Sequence, residues 1–178
     1  MPVRQAKLNK ERVTVTEATH DLILEIKRLR THFFLDEGTV RAVEGVDIPV
    51  KRGITLGIVG ESGCGKSMMA RSILQLVDLP GRIVDGQVLL HRSVPGDEQN
   101  GNAPRKAKNE TVDIAKLKPN SGPLREIRGG EIAMIFQEPM TSFSMLYTIG
   151  EHMRRPVEIH LGLKKQAARE HAIERLRR

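Results

Sequence analysis

An α/β fold built around a phosphate-cradling loop is predicted by three observations. Gly60-Glu61-Ser62-Gly63-Cys64-Gly65-Lys66-Ser67 has the spacing G-x-x-x-x-G-K-S, between a β-prone apolar run (Ile54 to Val59) and a stretch with Met69, Ile73 and Leu76 at helical spacing. Two strand-like segments, Leu22 to Phe34 and Val40 to Val50, flank the turn signal Asp36-Glu37-Gly38 and predict an antiparallel layer ahead of the loop. A second continuous apolar run, Ile132 to Phe136, reads as a buried strand of parallel type and precedes two helical stretches.

The loop carries the chemistry. Glycines let successive backbone N–H groups turn inward, and the following helix adds partial positive charge at its N-terminus. Such a nest wraps nucleotide phosphates, with Lys66 reaching the β- and γ-phosphates and the Ser67 hydroxyl binding Mg²⁺. In an open α/β sheet, chemistry gathers beyond the carboxyl ends of the strands, which places Gln137, directly after Phe136, at the same site.

Composition sets the bounds. At 178 residues the chain is about one domain long. Its net charge of +7 suits phosphates, an anionic surface or nucleic acid. With no Trp and one Tyr, it offers few rings on which bases stack, so the charge carries little information. Cys64, the single cysteine, excludes an internal disulfide and fits a reducing compartment. No run approaches the ~18 apolar residues of a membrane span, and the basic N-terminus has no apolar region behind it, so a cytoplasmic protein is expected.

Along the chain, residues 1–20 are polar and predict a disordered tail. Asp78-Leu79-Pro80-Gly81 is expected to stop the helix after the glycine loop, and Ile83 to Leu90 to form a strand. Residues 91–123 hold Pro95-Gly96, Asn100-Gly101-Asn102, Pro104 and the basic Arg105, Lys106 and Lys108. They predict an exposed, flexible insert with one helical turn around Asp113 to Lys118. Leu124 to Arg128 reads as a short helix. Thr148 to His160 follows as a helix with a stripe of Ile149, Met153 and Val157, then Leu163 to Arg178 with Ala168, Ala172 and Leu176 facing inward and a Glu174–Arg178 pair.

Two motifs then stand at family spacing. Gly57 to Ser67, followed by Ile135-Phe136-Gln137-Glu138-Pro139-Met140-Thr141-Ser142, resembles the ATP-binding subunit of an ABC transporter, and more narrowly the dipeptide/oligopeptide (or nickel) importer branch. Thr31-His32-Phe33-Phe34, Arg41 to Val46 and Thr148-Ile149-Gly150-Glu151 fit the same branch. The resemblance implies a P-loop NTPase core of ABC type with an N-terminal antiparallel β layer, residues 21–178 being part of that domain and 141–178 the start of a helical subdomain. It implies ATP held by Gly60, Glu61, Ser62, Gly63, Cys64, Gly65, Lys66 and Ser67, and Mg²⁺ held by Ser67 and Gln137, the glutamine that senses the γ-phosphate. Phe33 and Phe34 are the candidates for stacking on adenine, with core packing the open alternative. Implied partners are integral-membrane permease subunits and a second ATP-binding subunit, at the cytoplasmic side of the cell membrane, with no nucleic acid.

The departures from the pattern are equally specific. Phe143-Ser144-Met145 stands where the branch has Leu-Asn-Pro. The sequence contains no Leu-Ser-Gly-Gly-Gln signature, no apolar strand ending in an Asp-Glu pair and no histidine following one; Arg128-Gly129-Gly130-Glu131 is no substitute. The carboxylate pair would polarise the attacking water, so a truncated or partial chain is expected, one that does not hydrolyse ATP by itself. A non-transport ABC ATPase acting on nucleic acid is the alternative, supported only by the basic insert. A simple P-loop kinase or GTPase would need a lid or a base-specific motif, and neither is present.

Overall fold

Strand β1 (Leu22–Leu35) runs down the middle of an antiparallel sheet, with β2 (Gly38–Lys51) on one side and β3 (Gly81–Val94) then β4 (Lys108–Asp113) on the other. The computed structural model describes residues 21–94, 108–138, 140 and 143–177. The predicted tail at 1–20, the most basic part of the expected insert, and Pro139, Thr141, Ser142 and Arg178 lie outside those residues.

The side-chain pattern of β1 explains its place. Leu22, Leu24 and Ile26 point into the core at alternate positions, and then Leu29 and Thr31 do so. The parity shifts because the pairing with β2 is irregular between Ile26 and Leu29, where Arg28 takes φ +45°. One extra residue there flips the inward face from even to odd positions. The bulge passes to β3: a Cβ on Gly86 (φ +97°) would lie 2.5 Å from the Arg28 carbonyl oxygen, so only glycine fits opposite it.

The buried face of this sheet is covered by helix α1 (Lys66–Ile73), a 3₁₀ turn (Ile114–Lys116) and helix α2 (Gly122–Gly130). Ile26, Leu29, Val88, Ile114, Leu124 and Ile127 form the centre of the core, each at most 2 % exposed. Outside it, α3 (Ile149–Leu161) and α4 (Lys165–Leu176) make a helical hairpin. A reciprocal capping box between Thr148 and Glu151 starts α3, and Gly162 in the left-handed conformation ends it. Ala168 and Ala172 are buried as expected, whereas Leu176 and Ile149 are exposed, so the apolar stripe is narrower than the sequence predicts.

Three further expectations are corrected. His91–Val94 and Lys108–Asp113 are paired strands rather than loop, because β3 extends beyond Leu90 and Leu89 to Val94 pair with β4. Arg92 of β3 pairs with Glu110 of β4 (3.0 Å) and with Glu131 at the end of α2 (2.5 Å); burial alone lowers its pKa, but the two carboxylates outweigh it and raise the pKa. Helix α1 ends at Ile73, ahead of the predicted stop at Asp78, where Gln75 takes φ +51°. Finally, Ile54 to Val59 and Ala133 to Phe136 are not strands of the sheet: among the described residues no segment pairs with them, and Val59 and Ile135 are each 93 % exposed. A strand exists only through its ladder of partners, so these runs are not strands.

One buried polar contact ties the sheet to α1. Thr31 and Ser72 are both 0 % exposed, with their hydroxyl oxygens 2.8 Å apart. Ser72 donates its proton to the Met68 carbonyl (2.7 Å), so Thr31 is the donor to Ser72. Thr31→Val keeps the shape and leaves the Ser72 oxygen without that donor, which costs about 1–3 kcal/mol. In urea titrations the Thr31→Val/Ser72→Ala double variant is expected to lose less than the sum of the single losses.

Candidate functional site

The glycine loop is shaped by its backing strand. Gly65 caps the N-terminus of α1 at φ +93°, and a Cβ there would fall 2.2 Å from the Ala42 carbonyl oxygen of β2. Only a glycine backbone passes that close to the strand. Gly63, at φ +80°, has open space around it, and Gly60 is closed over by the Cys64 sulfur, 2.8 Å from where its Cβ would stand. No side chain caps the first turn of α1, so its N–H groups point out of the helix with only the loop in front.

Lys66 turns back into this loop. Its Nζ donates to the carbonyl oxygens of Gly60 (2.7 Å) and Glu61 (2.5 Å), and to Cys64 Sγ at 3.3 Å. The ammonium thereby completes a ring across the loop, with Cys64 N–H also donating to Glu61 O. The remaining predicted loop residues, Glu61, Ser62, Cys64 and Ser67, are exposed.

Ser67 and Gln137, far apart in the chain, line one cleft of about 650 Å³, together with Ala70, Arg71, Phe136 and Glu138. The two side chains that the sequence singles out as oxygen ligands therefore face a common space. Arg71 was not singled out; its guanidinium lies 5.9 Å from the Phe136 ring centroid and also pairs with Asp78 at 3.2 Å. Its signal was available, because four residues after Ser67 is the same face of a helix.

The aromatic candidates sit elsewhere. Phe33 packs on Gly81, and Phe34 lies under the Arg82 guanidinium at 4.3 Å. Neither lines the cleft shared by Ser67 and Gln137. At the departure Phe143-Ser144-Met145, His152 of α3 takes over the local loop: its Nε2 is 3.2 Å from both Ser144 N and Ser144 O, and its ring meets the edges of Phe143 and Tyr147.

A comparison of two glycines checks this geometry. Gly65→Ala adds a backbone clash to the cost of a left-handed residue, itself about 1–2 kcal/mol. Gly63→Ala meets nothing within 4 Å and incurs the conformational cost alone. The urea midpoint is therefore expected to fall further for Gly65→Ala than for Gly63→Ala; equal shifts would contradict the close approach to Ala42.

Residues 43–178 match the family described as ABC transporter. The chain is 40% identical over 158 residues to a probable peptide ABC transporter ATP-binding protein of Sinorhizobium fredii, covering 88% of this chain and 41% of that protein. It is 37% identical over 155 residues to the oligopeptide transport ATP-binding protein AppD of Bacillus subtilis, covering 86% and 41%. It is 34% identical over 154 residues to the dipeptide transport ATP-binding protein DppD of Escherichia coli, covering 86% and 41%. The chain thus spans about 41% of the length of these relatives. Among solved structures, the dimeric ABC transporter cassette MJ0796 shares the fold with a TM-score of 0.62 at 21% identity, covering 85% of this chain and 54% of that one. The same cassette in a post-hydrolysis state bound to ADP and Pi matches equally. The α/β, P-loop architecture expected from the sequence is therefore that of an ABC cassette, and the chain belongs to the ABC transporter family.

Proposed function

We propose that this chain provides the ATP-binding portion of an energy-coupling subunit for import of peptides or similar solutes. The observation that carries the reading is the meeting of Ser67 and Gln137 in one cleft beside the Gly60–Ser67 loop. Peptide transport is drawn from the relatives in Sinorhizobium, Bacillus and Escherichia, each an ATP-binding protein of peptide, oligopeptide or dipeptide transport.

In this reading the amides at the head of α1 and the loop from Gly60 to Gly65 receive the phosphates. Lys66 leaves the Gly60 and Glu61 carbonyls for the β- and γ-phosphates, exchanging neutral acceptors for charged ones. Mg²⁺ suits the site because the exposed Ser67 hydroxyl and Gln137 amide offer hard oxygen donors on one cleft. The ion would supply charge neutralisation between the phosphates; the chain supplies its two oxygens and the cradle. Binding, not turnover, is the activity assigned to these residues, since no Asp-Glu pair follows an apolar strand to polarise water. Among the described residues no helix is long and apolar enough to cross a membrane, so work on a transported solute is assigned to contact with integral-membrane permease subunits, at their cytoplasmic face. A second ATP-binding subunit is the other expected partner.

Titration calorimetry with MgATP tests the assignment. A hydrogen bond to a charged group is worth about 1.5–3 kcal/mol, so Lys66→Ala is expected to weaken binding by roughly ten- to a hundredfold. A variant that keeps its fold and its affinity would remove Lys66 from the phosphate site.

A further inference from the structure

We infer that Arg128 is a positioning residue that sets the separation of Ser67 and Gln137 by joining the tail of α1 to the base of the segment that carries Gln137. The inference rests on the nucleotide-site reading above, because its consequence is felt there.

Arg128 stands where α2 loses its helical geometry: it takes φ −67° and ψ 107°, and Gly129 follows at φ +86°. Its part-buried guanidinium donates from Nε to the Leu74 carbonyl (2.9 Å) and from Nη2 to the Gln75 carbonyl (3.0 Å). These oxygens lie at the C-terminal end of α1, where carbonyls lack helical partners and the helix dipole is negative. A planar, two-pronged cation fixes direction as well as distance, which an ammonium does not. On its other side the same tail is held by Gln75, whose Nε2 donates to the Ile114 and Leu117 carbonyls.

The backbone of Arg128 belongs at the same time to the base of the second leg. It bridges Ile132 in parallel, Gly129 N–H donates to Ile132 O at 2.8 Å, and Ile132 N–H donates to Ile127 O at 2.9 Å. From this junction the two legs run side by side. Leu74 and Gln75 meet Arg128 at the bottom, Arg71 meets Phe136 higher up, and Ser67 meets Gln137 in the cleft at the top. At 1.5 Å per residue, α1 is a lever of about 12 Å, so a loosened tail moves Ser67 relative to Gln137. Among the described residues the Ile132–Phe136 run has no sheet hydrogen bonds beyond the Arg128–Ile132 bridge, so its position relative to α1 depends on Arg128 at its base and Arg71 beside Phe136, while Arg92 holds the neighbouring Glu131 to β3.

The test measures ATP affinity of the 178-residue chain with Mg²⁺ and with EDTA, for wild type, Arg128→Met and Arg128→Lys. Wild type is expected to bind more tightly with Mg²⁺; absence of that gain would sink the nucleotide-site reading itself, whatever Arg128 does. Arg128→Met is expected to lose roughly threefold or more of the Mg²⁺-dependent gain, while affinity in EDTA, set by the glycine loop and Lys66, changes less than about twofold. Arg128→Lys restores part of the gain. An undiminished gain in Arg128→Met overturns the inference, and so does an equal fall with and without Mg²⁺, which would make Arg128 a helix cap only. Should Arg128→Met not give a cooperative melt, Arg128→Lys decides: a reduced gain at unchanged EDTA affinity supports the clamp, and an undiminished gain overturns it.

Discussion

Helix α1 has eight residues, and its own hydrogen bonds do not determine where its ends point. Its placement is imposed from outside at three levels. At the head, Gly65 lies so close to the Ala42 carbonyl of β2 that no side chain fits between them. In the last turn, the Thr31–Ser72 hydroxyl pair locks the helix to the central strand in a fully buried setting. Beyond its end, Arg128 takes up the Leu74 and Gln75 carbonyls, and the Gln75 side chain donates to the Ile114 and Leu117 carbonyls of the 3₁₀ turn. Everything proposed about phosphate and Mg²⁺ depends on that placement, because the cradle is the end of this helix.

The loop in front of the helix is satisfied internally by Lys66. Its ammonium bonds two backbone carbonyls and a sulfur, so the loop is not a collection of orphaned groups. In the proposed nucleotide site a phosphate would take the cation by offering negative oxygens in place of neutral ones. What remains in the loop is then a set of outward N–H groups at a helix terminus, the complement of an anion.

Much of this was legible in the sequence, and the reasons differ by residue. Spacing marks Gly60, Gly65, Lys66 and Ser67 as candidates, since a phosphate-cradling loop demands glycine and lysine at fixed offsets. Gln137 was legible because an apolar run ends one residue before it. Alternation located β1, yet the bulge at Arg28 that shifts its inward face was not visible, because a positive φ at arginine has no sequence mark. The strand character of Ile54 to Val59 and Ile132 to Phe136 was overestimated for a different reason: propensity belongs to the segment, whereas pairing belongs to its neighbours. In the sequence Arg128 is only the end of a short helical stretch and the start of a Gly-Gly string that fails to match a signature. Its partners are backbone carbonyls, which every residue has, so nothing in the letters announces the contact.

The most direct measurement is a two-dimensional amide NMR titration of the chain with MgATP. The account predicts that the largest shifts fall on the backbone amides of Gly63, Gly65, Lys66 and Ser67 and on the side-chain amide of Gln137, all saturating at the same ligand concentration. Shifts concentrated instead on the separate cleft lined by Arg52, His91 and Thr111, or no saturable shift in the loop, would contradict it.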